Sequence, residues 1–196
     1  NNLHSFVIAF FRCLSGLLIL LPFITKNNFE ILKTKNLKTH FLRSFFNGVS
    51  MLTWFSAIGL MHLEKATALG FTTPLFATIL AVIILKEVIK IHRTLAVIIG
   101  FLGILIIIRP GYIDIDTGTY LMIIASMSWA FVLIIIKQLS KTDSNLTIIF
   151  YMLLIMTPTT LLFALPYWQK PTLIELLIFF GMGAGGLISH LCLVQS

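Results

Sequence analysis

The chain has 196 residues, 58% of them hydrophobic and only 11% charged, where an ordinary soluble domain is about 45–50% apolar and about 25% charged. That balance excludes a soluble globular domain and indicates a polytopic membrane protein. The formal net charge of +7 does not indicate a nucleic-acid partner, because the basic residues fall in short connections between apolar spans, where they set orientation.

A helix needs about 20 mainly apolar residues to cross a bilayer. In chain order the stretches 4–25, 42–61, 66–86, 92–108, 117–137, 145–167 and 173–196 meet that requirement, so seven spans are expected. The chain starts Asn-Asn without a methionine and stops at "HLCLVQS", inside an apolar run, so a fragment of a longer protein is expected. The first span carries Arg12 about seven residues, roughly 10 Å, inside its start. A cation at that depth faces a bundle interior or a wet cavity, or snorkels to the interface. After the basic connection "KNNFEILKTKNLKTH", the second span presents Trp54 and Phe55 at interior depth.

The third span is interrupted by "GFTTP". Pro74 cannot donate to the Gly70 carbonyl, Gly70 relieves crowding beside it, and Thr72 and Thr73 bring hydroxyls. Free backbone at such depth is tolerated where it is buried in protein or lines a water-filled cavity; a packing kink is the alternative. Lys86 and Glu87 close this span as a charge pair at the interface. Further on, "RPGYIDIDTG" is a turn holding Asp114 and Asp116. Trp129 follows, flanked by Ser126 and Ser128, and Thr157-Pro158-Thr159-Thr160 repeats the proline chemistry by freeing the Leu154 carbonyl. Tyr167 and Trp168 form an interfacial belt. In the last span Gly181 and Gly185 have the spacing of close helix packing, and His190 follows Ser189.

Lysine and arginine distribute unevenly between alternate connections. Lys26, Lys33, Lys35, Lys38, Arg43, Lys86, Lys90, Arg93, Lys137 and Lys141 fall on one side, and only Lys65, Arg109 and Lys170 on the other. The richer side is assigned to the cytoplasm, so the first span runs inward. Cys13 and Cys192 lie within apolar spans and read as small buried hydrophobes, not as a disulfide or metal pair. No HExxH, G-x-S-x-G, P-loop or Cys/His ligand cluster occurs, so no enzyme activity, cofactor or metal is expected.

The order of these features resembles the EamA-like branch of the drug/metabolite transporter superfamily. The likeness runs through "FVIAFFRCLSGLLILLP", "LTWFSAIGLMHLEKATAL", the proline span closing in "ILKEVI", "IIGFLGILIIIRPG" and "GTYLMIIASMSWAFVLIIIKQLS". The resemblance implies an all-α inverted-repeat transporter of about ten spans, seven of them present here. Residues 1–110 would form the first half, lacking its first span, and 116–196 the second half, lacking its last spans. The short echo of "LLILLPF" in "LLFALPY", on spans of opposite direction, is of the kind inverted repeats leave. Within the branch the chain is similar to bacterial S-adenosylmethionine uptake transporters, which implies a multi-pass protein of the bacterial inner membrane and a small-molecule substrate. An amino-acid or drug exporter of the same family is the near alternative, and a membrane scaffold or enzyme subunit the distant one. The lipid bilayer is an expected partner, and a second copy of the chain is a candidate one.

The candidate substrate-binding residues are Arg12, Trp54, Phe71, Trp129, Tyr151 and His190, because aromatic faces attract cations and stack on flat rings. Gly70, Pro74 and Pro158 are the candidate hinges. For each of them structural packing is the competing account.

Overall fold

The computed structural model describes residues 4–26, 32–88, 91–108 and 116–195, and all regular structure among them is helical. The elements are α1 (Ser5–Lys26), α2 (Leu37–Leu60), α3 (Leu63–Gly70), α4 (Thr72–Leu85), α5 (Ile91–Ile108), α6 (Thr117–Leu139), α7 (Asn145–Ala164) with a 3-10 turn over Leu165–Tyr167, and α8 (Leu173–Gln195). Lys90, Arg109 and Asp114 lie outside the described residues.

Five stretches among the described residues are long and apolar enough to cross a membrane: Ser5–Pro22, Leu63–Leu85, Thr117–Leu139, Asn145–Tyr167 and Leu173–Leu193. The second and fourth of the expected seven are not among them. The opening turns of α2 carry Lys38, His40 and Arg43, and the described apolar stretch of α5 is short, Thr94–Gly103. Large apolar side chains such as Ile83, Ile99 and Leu177 stand exposed on their helices. Water would disfavour that surface, whereas lipid tails accept it.

Local chemistry sets several helix starts. Asp116 caps α6, its carboxylate accepting from the Thr119 amide at 2.7 Å and the Thr119 hydroxyl at 2.6 Å. Ser144 caps α7, accepting from the Thr147 amide at 3.1 Å. Thr172 and Glu175 form a reciprocal capping pair at the head of α8. At the other end of α4, Lys86 takes the left-handed conformation (φ 54°) and the Glu87 amide reaches back to the Ala81 carbonyl at 3.4 Å. This is how a helix is commonly ended, so the Lys86–Glu87 pair closes α4 as its position in the sequence implies.

The chain divides into two compact units. Unit 1 comprises residues 1–44 and 136–196. Here α1 packs on α7 and α8, and α7 packs on α8. Leu20, Ile24 and Phe150 form one apolar cluster; Val7, Phe10 and Ala164 form another. Phe11 stacks on Phe179 with centroids 5.5 Å apart. Helices α1 and α8 approach closely at Gly183, where a Cβ would lie 2.7 Å from the Ser15 Cβ and 2.8 Å from the Gly16 backbone nitrogen. Gly181 and Gly185, whose spacing pointed to the contact, meet nothing within 4 Å. They lie on the other face of α8, because residues four apart share a face and a residue two on does not. Cys13 is buried as expected, but Cys192 is exposed.

Unit 2 comprises residues 45–135. Ala57, Ala66, Leu69 and Met122 form its buried cluster, with Trp54, Ile58, Met61 and Leu121 against it. Both α3 and α4 pack on α5. Helices α2 and α6 are joined by the Ser50 hydroxyl donating to the Ala125 carbonyl at 2.9 Å and by the stacked rings of Phe46 and Phe131.

Candidate functional site

The expected site residues divide between the units. Trp54, Gly70, Phe71, Pro74 and Trp129 belong to unit 2; Arg12, Tyr151, Pro158 and His190 belong to unit 1.

In unit 2 the apolar span 66–86 is two helices. Helix α3 ends at Gly70 and α4 begins at Thr72, with Phe71 as the junction. Pro74 is therefore the third residue of α4, where a backbone N–H would have no partner within the helix in any case. The break lies at Phe71 instead of one turn of strain around Pro74. Its freed groups find local partners: the Phe71 amide reaches the Ala68 carbonyl at 3.3 Å, and the Ser126 hydroxyl approaches the Leu69 carbonyl at 3.5 Å. Thr78 donates to the Pro74 carbonyl at 2.8 Å, while the buried Thr72 hydroxyl has no hydrogen-bond partner. Gly70 makes room for an aromatic, since a Cβ there would meet the Trp54 ring and the Met122 methyl at 3.4 Å. Trp129 is half-buried and follows Ser126 by three residues, so it shares the α6 face that meets the break. Phe71 is 76% exposed, so unit 2 does not enclose it. Unit 2 thus brings Trp54 and Gly70 together at a broken helix beside the unpartnered Thr72 hydroxyl.

In unit 1 Pro158 leaves α7 unbroken. Threonine hydroxyls bond to the carbonyls on either side of the one it vacates: Thr157 to Leu153 at 2.7 Å and Thr159 to Ile155 at 2.8 Å. Arg12 is exposed, and its side chain and the Thr160 hydroxyl both approach the Cys13 thiol. Tyr151 is engaged elsewhere than expected: its hydroxyl donates to the Leu32 carbonyl at 2.9 Å, and its ring lies 4.8 Å from that of His40. His190 is half-buried, within the fields of both Arg43 and Arg12.

Two features of unit 1 escaped the sequence reading. The first is Arg43, counted as an orienting charge of the basic connection. It is fully buried (0% exposed), donating through Nη1 to the Ile148 carbonyl at 2.9 Å and through Nη2 to the Met152 sulfur at 3.5 Å. The second is a buried carboxylate, Asp143, that ties the α1–α2 connection to the α6–α7 connection. It accepts from the Thr34 hydroxyl at 2.6 Å, the Asn36 amide at 3.2 Å and His40 Nε2 at 2.7 Å. Burial works against its charge, but the hydrogen bonds from Thr34, His40 and Asn36 prevail and hold the carboxyl below its ordinary range. Burial pushes His40 down, outweighing Asp143, and the Arg43 charge acts in the same direction. A proton added at His40 Nδ1 would find no acceptor there. The sequence signal was "LKTHFLRSFF", where His40 and Arg43 are three residues apart on one helix face.

Fold and site together define a polytopic helical membrane protein with a broken apolar helix in unit 2 and buried charged side chains in unit 1, and with no group of three or more metal-ligating side chains among the described residues. The EamA-like transporter family model matches residues 1–109, more than half of the chain, and the chain belongs to that family. It is 33% identical over 186 residues to the S-adenosylmethionine uptake transporter of Rickettsia prowazekii, covering 95% of this chain and 63% of the relative. The protein of the same name from Rickettsia bellii is also 33% identical, with 95% and 64% covered. The riboflavin transporter of Vibrio cholerae is 33% identical over 172 residues, with 87% and 58% covered. The chain therefore spans less than two thirds of the length of these relatives. All three carry the names of transporters, not of enzymes.

Proposed function

We propose that the complete protein is a secondary carrier of the bacterial inner membrane that moves S-adenosylmethionine by alternating access. The observation that carries this reading is the 33% identity, sustained over 95% of the chain, to S-adenosylmethionine uptake transporters. Residues 1–110 and 116–196 would be parts of two inverted halves, with Gly70, Pro74 and Pro158 permitting bends between the inward and outward states. The helix break beside Trp54 supports a substrate path in unit 2, since irregular backbone at membrane depth belongs in a protein-lined cavity and the buried Thr72 hydroxyl there has no hydrogen-bond partner. Trp54 and Trp129 would stack on the adenine or meet the sulfonium, each such contact contributing about 0.5–2 kcal/mol.

The comparable identity to a riboflavin transporter favours a second solute with a flat heteroaromatic ring. Uptake of labelled S-adenosylmethionine by cells expressing the complete protein, with excess unlabelled S-adenosylmethionine or riboflavin as competitor, separates the two. Uptake above an empty-vector control, competed by the former and not the latter, is expected. With the protein present in the membrane, no uptake, or inhibition only by riboflavin, removes the S-adenosylmethionine assignment. Trp129→Ala is expected to weaken apparent affinity by about tenfold without lowering membrane abundance. Unchanged affinity takes Trp129 out of the site.

A further inference from the structure

Arg43 is a fully buried cation whose partners are a neutral carbonyl and a thioether. Its Nε has no hydrogen-bond partner. A guanidinium offers five N–H donors in a rigid fork that matches a carboxylate, and a methionine sulfur is a weak acceptor. Burying such a charge without a counter-charge is costly, and in membrane bundles that expense marks a solute path or an ion pair. Among the described residues no ion pair holds Arg43. The buried carboxylate among the described residues of the unit, Asp143, is engaged by Thr34, Asn36 and His40. Arg12 adds a second positive charge to the same surroundings, because Arg43 and Arg12 both act on the His190 imidazole.

Position agrees with a solute site. Arg43 lies six residues into α2, about 9 Å along its axis, and bonds to α7 one turn from Tyr151. The contact that closes its fork is the Met152 thioether at 3.5 Å, a flexible side chain that gives way readily. Exchange of that sulfur for a carboxylate would complete a bidentate pair and use the idle Nε–H.

We infer that Arg43 is the anion-recognising residue of the carrier, taking the carboxylate of the transported solute in the positive field that it shares with Arg12. This rests on the carrier reading and deepens it. A solute bearing both a carboxylate and a sulfonium would present the former to Arg43, while the same field repels the latter, so the site sets the solute's direction as well as its class.

Two measurements on the complete protein test this. In the first, S-adenosylmethionine uptake is competed by the unlabelled compound and by its decarboxylated analogue, in the native protein, Arg43→Lys and Arg43→Gln. The native carrier is expected to prefer the carboxylated competitor by on the order of tenfold or more. That preference should shrink in Arg43→Lys, which keeps the charge but not the fork, and fall to about one in Arg43→Gln. In the second, the purified protein is heated with S-adenosylmethionine, methionine and citrate, each beside its methyl ester. A carboxylate-dependent rise in Tm in the native protein, abolished in Arg43→Gln and reduced in Arg43→Lys, is expected. If S-adenosylmethionine is not carried but another acid gives that rise, the solute assignment fails and the role of Arg43 stands. The inference is overturned if acid and ester act alike on the native protein. It is overturned equally if Arg43→Gln retains the preference, or merely unfolds while Arg43→Lys discriminates like the native protein.

Discussion

In unit 2 the chain ends α3 at Gly70 and restarts at Thr72, so Pro74 falls in a first turn and interrupts no hydrogen-bond ladder. In unit 1 α7 runs straight through Pro158, with Thr157 and Thr159 bonded to the carbonyls beside the vacated one. The same contrast extends outward. Unit 1 brings α8 onto α1 at backbone distance through Gly183 and joins its connections through the 4%-exposed Asp143. In unit 2, Gly70 faces the side chains of Trp54 and Met122, and Lys65 is joined to Asp116, which is 46% exposed. At its tightest glycine unit 1 meets backbone, which cannot withdraw, whereas Gly70 of unit 2 meets side chains that can move. A proline in an apolar span therefore says little until the position of the helix start is known.

The sharpest test of that difference is the glycines. Gly183→Leu would drive a side chain into the Gly16 backbone, which cannot withdraw, and is expected to cost about 3 kcal/mol or more. Gly70→Ala meets a ring edge and a methyl at 3.4 Å and should cost about 1 kcal/mol or less, and Gly181→Ala should be neutral. Thermal unfolding of the complete protein in detergent ranks the three. A Gly70 variant as damaging as the Gly183 one would erase the distinction between the units. Next in size is Asp143→Ala, which leaves Thr34, Asn36 and His40 without their acceptor and should cost about 2 kcal/mol. Asp143→Asn retains part of the network and should lose less in the same assay.

Hydropathy made five of the seven expected span positions legible, because the bilayer imposes one length on every crossing element. It could not reveal that the third apolar span is two helices. Pro74 is conspicuous in sequence, yet the break at Phe71 is supported by residues distant in the chain, Trp54, Met122 and Ser126. Arg43 was hidden for a similar reason. A cation beside Lys35, Lys38 and His40 reads as the edge of a span, and only the Ile148 carbonyl and Met152 sulfur reveal it as buried. Of the glycines in α8, the spacing of Gly181 and Gly185 was the visible motif, but the facing Gly16 decides which one is used. Tyr151 looked free to meet a solute until Leu32 was seen to take its hydroxyl.

The prolines supply a smaller effect of predicted sign. Pro158→Ala returns a donor to the Leu154 carbonyl in a helix already continuous there. It should raise stability by about 1 kcal/mol, below the cost of about 3 kcal/mol that a mid-helix proline carries in water, because membrane helices tolerate the defect. Pro74→Ala returns a donor to a first turn that has no use for it and should stay within about 0.5 kcal/mol. If Pro158 is a hinge, the same substitution slows transport while it stabilises. A Pro158→Ala carrier that is both more stable and equally fast would make the proline a packing feature only.

Acid is the mildest probe of the comparison and separates the units by pH. Burial lowers His40 from its ordinary 6.5, so below that value the unfolded chain takes up a proton that the folded one resists. The stability His40 supports is then complete above 6.5 and declines as pH falls toward its lowered value. The carboxyl of Asp143 is also held low, so its contribution is present above the ordinary 3.8 and is lost as pH falls through the folded value. In unit 2 the bonds from Lys65 and Thr119 bring Asp116 to about 2 from 3.8, so its contribution begins to fall only below 3.8. Its exposure limits that contribution to a few tenths of a kcal/mol, and Asp116→Asn at neutral pH should change stability by no more. Hydrogen exchange of the complete protein between pH 7 and 5, corrected for intrinsic rates, should therefore show the segments around Asn36 and Asp143 opening. The segment around Lys65 and Asp116 should keep its protection. Equal loss at both junctions would mean that His40 does not set the acid sensitivity of unit 1, and His40→Gln, which cannot take the proton, should then leave the profile unchanged.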